Sequence, residues 1–144
     1  MCIRDSNHDE HSTVGLRQAL RMYWRNEVRV MVDTSPNPYH YHRFGVNLIA
    51  GVHGDKSRPK ELPLILANSR PEDWAASTTR HFHSGHIHHD TLLETGGVHV
   101  YTHRAPVAQD AYHAAKGYLS GRSMRSFTYH RDKGFRLMTE VEIQ

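Results

Sequence analysis

The stretch Thr79-Arg80-His81-Phe82-His83-Ser84-Gly85-His86-Ile87-His88-His89 sets the reading of this chain. Thr79 to Ser84 alternates polar and aromatic residues, the period of a β-strand. Gly85 then releases the chain into a loop carrying three more histidines. Two histidines at i and i+2 in an extended segment point to the same side. Gly85 permits a tight turn that aims both imidazoles of His86 and His88 at one point. Imidazoles and carboxamide oxygens suit Zn, Mn, Fe or Ni, and no thiolate competes. The bland reading of the same residues is a surface strand with scattered histidines.

Working outward, the flanking elements alternate between the two periods. Leu16, Leu20, Tyr23 and Trp24 recur at helical spacing, with Ser12 or Thr13 as cap, predicting a helix to about Asn26. Val28–Val32 reads as a strand. Tyr39–Ala50 reads as a longer strand, closed by the loop Gly51–Asp55. Pro59 opens a helix reaching about Asn68, and Pro71–Trp74 forms a further short turn or helix. Val98–Thr102 is another strand. Ala108–Leu119 is open between helix and ordered loop. Ser123–His130 and Phe135–Ile143 pair as a terminal hairpin around Asp132-Lys133-Gly134. The order predicts a mixed α/β domain whose strands feed functional loops.

Composition narrows the function classes. The chain has 144 residues, enough for one domain with its own core. A single Cys excludes a disulfide framework or a Cys-rich zinc module. No apolar run approaches the roughly 20 residues of a membrane span, and no secretory signal is recognisable. No membrane partner is expected, and the compartment expected is cytoplasmic. Fourteen histidines stand against a formal charge of +3 with each counted neutral, so the charge depends strongly on pH near 6.5.

Two further tripeptides sit where elements begin or end: Asn7-His8-Asp9 and His53-Gly54-Asp55. Alone, each is explained by turn chemistry. Together with Gly85-His86-Ile87-His88, in this order, they resemble the last three motif blocks of the calcineurin-like metallophosphoesterase superfamily, over about Asn7 to Asp90. The C-terminal stretch is similar to phage-type members, which implies a phage gene expressed in a bacterial cytoplasm. Position 6 is Ser where the family has Gly. The earlier Asp-x-His and Gly-Asp-x-x-Asp blocks are not present. Residues 1–6 are therefore expected to be a non-native leader and 7–144 a truncated domain, the C-terminal half of the family's αββα sandwich, with a mixed sheet and flanking helices.

The resemblance implies a hydrolase of phosphate esters that works with two divalent ions, Mn, Fe, Zn or Mg, in the intact parent and with one in this chain. It implies that Asn7, His53 and His86 bind the second ion and His88 the first. His8 would stand by the scissile phosphate, and Asp9 would orient it. Nucleic acid falls within the implied substrate class, because several family members are DNA repair exonucleases. The chain alone is expected to have little activity.

Other residues have competing readings. Arg17, Arg21, Arg25 and Arg29 recur every four residues, as a nucleic-acid track or a solvated helix face. His103-Arg104 can contact a substrate phosphate if the following loop folds over the site. His40 and His42, and His81 and His83, share strand faces and read as packed or solvent-facing. The spacing of His99, His113 and His130 carries no argument. The alternative functions are a non-catalytic, cupin-like metal binder using His86, His88 and Glu94, and an interaction module that keeps the fold without the chemistry.

Overall fold

The computed structural model describes residues 10–107 and 121–143. Helix α1 spans Glu10–Tyr23. Strands β1 (His40–Phe44) and β2 (Asn47–Val52) follow. A 3-10 turn at Pro59–Glu61 runs into α2 (Leu62–Ser69), followed by α3 (Pro71–Ala75). Then come β3 (Thr79–Ser84), β4 (Thr91–Thr95) and β5 (Val98–Thr102). The hairpin β6 (Arg122–His130) and β7 (Gly134–Ile143) ends the described chain. No helix among the described residues is long and apolar enough to cross a membrane.

The first five strands form one mixed sheet in the order β1-β2-β3-β5-β4. Its centre is parallel: β2 pairs β3, and β3 pairs β5. The outer strands β1 and β4 run antiparallel to their neighbours. The β2–α2–α3–β3 segment is a βαβ crossover, which parallel pairing requires. The mixed α/β architecture with flanking helices is as expected.

Alternation divides the central strands into two faces. Ala50, Phe82 and Val100 stand in register across β2, β3 and β5. With Leu48, Val52 and Val98 they pack on Leu62 and Leu66 of α2 to form the buried core. The opposite face carries His81 and His83 of β3 beside His99 and Tyr101 of β5. The β6–β7 hairpin lies over it, with Phe127 centred 4.7 Å from His83, and Tyr129 and Phe135 centred 5.1 and 5.2 Å from His81. The layers are therefore helix, five-stranded sheet, two-stranded sheet.

The hairpin is anchored at its tip. Val46 N donates to Arg131 O at 2.8 Å. Buried Asn47 donates through Nδ2 to Phe44 O at 2.8 Å and His130 O at 2.9 Å. Gly45 takes φ 57° at this contact, and a Cβ there would run into Arg131 O. Gly134 takes φ 74° against the Thr79 side chain.

Three local expectations are corrected. Residues 28–32 form no strand: Val28 is 99% and Met31 94% exposed. Strand propensity alone does not hold an edge without a partner. The stretch 39–50 is two strands, because Gly45 and Val46 turn it back on itself. Helix α1 ends at Tyr23, short of Asn26. Strand β4, whose sequence shows no strand period, pairs along β5 from Thr91↔Thr102 to Thr95↔Val98. The stretch 108–119, open between helix and ordered loop, lies outside the described residues.

Candidate functional site

The C-terminal ends of β2 and β3 lie side by side, since Val52 and Ser84 are register partners in a parallel pair. In open α/β sheets, ligands bind outside this edge. Each strand runs directly into a histidine loop: His53-Gly54-Asp55 after β2, Gly85-His86 after β3. Gly85 N donates to His53 O at 2.9 Å, tying the loops together. Gly54 has φ 104°, and a Cβ there would touch Ser84 and the Gly85 carbonyl at 3.4 Å.

The result is a close histidine pair. His86 Nδ1 stands 3.2 Å from His53 Nε2, with the rings 5.0 Å apart and inclined at 68°. As neutral rings they share one proton in a hydrogen bond. The same spacing suits two ligands of one cation, since metal–nitrogen bonds of about 2.0–2.1 Å hold nitrogens about 3.3 Å apart.

The fit to the expected ligand set is partial. His53 and His86 meet; no group of three or more His, Cys, Asp or Glu able to hold a metal exists among the described residues. His88 does not complete one with the pair. The alternation argument for His86 and His88 does not apply, because both take left-handed φ, 65° and 53°. The cupin-like set of His86, His88 and Glu94 is not gathered as such a group either. Glu94 instead lies 3.7 Å from His99 across the β4–β5 pair. Asn7, His8 and Asp9 lie outside the described residues.

A second histidine system lies under the hairpin. His83 Nδ1 is 2.9 Å from His103 Nε2. His83 Nε2 is 3.2 Å from the Tyr129 hydroxyl, which is 3.1 Å from His81 Nδ1. One consistent proton assignment has His81 donating to Tyr129, Tyr129 to His83, and His83 to His103; the reverse direction is equally satisfied. Every ring is neutral in both. Burial, then the charge of His99, pushes His81 down to about 4. Burial, then the charges of His103 and His81, pushes His83 down to about 3. Burial also lowers His103, against the pull of Glu140, and raises the Tyr129 phenol.

A cavity of about 350 Å³ opens beside this system, lined by His83, His103, Arg104, Ser123, Arg125 and Phe127 among others. Its guanidiniums are already engaged. Arg125 bridges Asp90 and Glu140, and Arg104 lies 4.0 Å from Glu142. Reading the sequence for motif blocks passed over Tyr129, Phe127 and Tyr101. The available signal was period two: Phe127 and Tyr129 on one strand face, His81 and His83 on another, His99 and Tyr101 on a third.

The arginine series does not form one free stripe. Arg17 donates to Ser35 O at 3.0 Å, and Arg29 forms an ion pair with Glu27 at 2.8 Å.

No protein-family profile matches the chain, and no curated protein matches it. Among solved structures, the fold is similar to a crystal structure of a single mutant of Vps29 from Entamoeba histolytica. The identity is 16%, the match covers 80% of this chain and 67% of that one, and the TM-score is 0.46. The functional reading rests on the residues themselves.

Proposed function

We propose that this chain belongs to a metal-dependent hydrolase of phosphate esters of the calcineurin-like metallophosphoesterase type, with His53 and His86 as ligands of one divalent ion. The observation that carries this reading is the 3.2 Å approach of two ring nitrogens from separate strand-end loops. It is supported by the order of the motif blocks and by the position at the C-terminal edge of parallel strands.

When bound, a divalent ion supplies charge to polarise a phosphoryl oxygen and lowers the pKa of a bound water. The chain's part is to hold the donors. Gly54 and Gly85 let the two loops approach closely enough for their imidazoles to meet. Asn7 and His88 are the further ligands of this reading, His88 serving the other ion of the pair. In this reading His8 gives a proton to the leaving oxygen, work that suits an imidazole. Asp9 orients His8. Phosphodiesters, nucleic acid among them, are the substrate class.

Two described donors make a weak site, so metal binding is the direct test. Mn²⁺ titrated into the chain should bind, and His53→Ala and His86→Ala should each weaken binding by about 10–100-fold. Binding unchanged in both variants overturns the ligand assignment. Hydrolysis of an aryl phosphodiester with Mn²⁺, compared with the His86→Ala and His8→Asn variants, tests the chemistry. Equal activity in all three sinks the assigned roles.

A further inference from the structure

Alternation along β6 turns Ser123, Arg125, Phe127 and Tyr129 toward the five-stranded sheet. Phe127 and Tyr129 pack on His83 and His81. Arg125, two places before Phe127, is a cation on this inward face, with its side chain only 14% exposed. A cation so placed needs carboxylate partners. It has two. Glu140, its register partner on β7, accepts from Nη2 at 2.8 Å. Asp90, 35 positions away along the chain, accepts from both Nη1 and Nη2.

One carboxylate balances one guanidinium, and Glu140 lies directly across the hairpin. Adding Asp90 leaves the trio with one negative charge in excess, so balance with Arg125 does not by itself account for it. What Asp90 adds is a position. It closes the loop from Gly85 to Asp90, which carries His86 and His88 between β3 and β4. That loop needs holding. His86, Ile87 and His89 are exposed, so little packing fixes them. His86 and His88 take φ 65° and 53°, and among the described residues no other non-glycine residue has positive φ. Such conformations persist only where the surroundings impose them. At the start of the loop, Gly85 N donates to His53 O at 2.9 Å and Ile87 N to Gly85 O at 2.8 Å. At its end, the two-pronged Arg125–Asp90 pair fixes it to the hairpin.

We infer that Arg125 is a positioning residue for the candidate metal site: its fork on Asp90 holds the Gly85–Asp90 loop in the conformation that presents His86 to His53. The inference rests on the reading of His53 and His86 as ligands of one ion, although the clamp itself is made without the ion. Lysine carries the same charge but has no planar fork. Charge alone at position 125 is therefore not enough.

Two measurements on the full chain test this. The first is amide exchange without metal. Arg125→Lys, Arg125→Gln and Asp90→Asn should each speed exchange at Gly85 and Ile87 about tenfold, with the amides of β2 and β3 unchanged. The second is titration with Mn²⁺. Each variant should bind about tenfold more weakly. The double variant R125Q/D90N should be no worse than either single change, because both remove the same link. Glu140→Gln keeps the fork on Asp90 and should leave both measurements near wild type. Thermal melts establish that each variant is folded; where one melts early, the others carry the comparison. Unchanged exchange at Gly85 and Ile87 overturns the inference. So does exchange that rises equally through β2 and β3, or as much in Glu140→Gln as in Asp90→Asn, since either makes Arg125 a general support of the hairpin. Additive losses in the double variant overturn it too. A wild-type chain that binds no Mn²⁺ overturns the ligand assignment of His53 and His86, and amide exchange then decides the clamp.

Discussion

His83 and His103 share a hydrogen bond, Nδ1 to Nε2 at 2.9 Å, although neither has a carboxylate partner within that link. Both rings lie beneath the β6–β7 hairpin, and the network needs them neutral. The histidine excess is therefore partly a structural element that binds the hairpin to the sheet.

This arrangement makes stability depend on pH. His81 and His83 titrate near 6.5 when unfolded and at about 4 and about 3 when folded. Between these values the unfolded chain holds more protons, so stability rises with pH. The full contribution is present above about pH 6.5 and is lost as pH falls toward 4 and then 3. Urea denaturation at pH 7.5 and pH 5 should differ by on the order of a few kcal/mol, at about 1.4 kcal/mol per pKa unit. His83→Gln should flatten the dependence; identical midpoints at the two pH values would refute the account.

Tyr129 links His81 to His83 through a single hydroxyl. Tyr129→Phe keeps the ring against His81 and Phe135 but leaves ring nitrogens short of a partner. A loss of about 1–3 kcal/mol is expected at pH 7.5. Chemical denaturation measures it, and an unchanged stability would show that the link contributes nothing.

Phe82 is fully buried between β2, β5 and α2, whereas Val28 is nearly fully exposed. Phe82→Ala should cost about 3–5 kcal/mol. Val28→Ala should stay within about 0.5 kcal/mol. Comparable losses from the two would contradict the placement of the core.

Gly45 combines positive φ with a close approach to Arg131 at the hairpin tip. Gly45→Ala should destabilise by more than about 1 kcal/mol. Amide exchange should rise first across β6 and β7, because the hairpin loses its anchor at Val46. A variant with unaltered exchange in the hairpin would disprove the anchoring role.

Where periodicity was strong, the elements were legible. Thr79–Ser84 and Val98–Thr102 are strands with those bounds, and the terminal hairpin agrees to within a residue or two. Residues 28–32 show the limit: their alternation is as good as that of β5, but no neighbouring strand accepts them. The turn at Gly45 was hidden inside a partly alternating stretch, because it is set by the contact with Arg131, 86 positions away along the chain.

The histidine loops show the same division. Their composition, their glycines and their order along the chain are properties of the sequence, and these alone pointed to a strand-end site. The meeting of His53 with His86 is different. It follows from the parallel register that sets Val52 beside Ser84, and parallel pairing is a long-range choice that no local pattern encodes. The separation of the remaining histidines was decided the same way. Alternation assigned His81 and His83 to one face, but only the packing of Phe127, Tyr129 and Phe135 onto that face removed them from water and made them neutral.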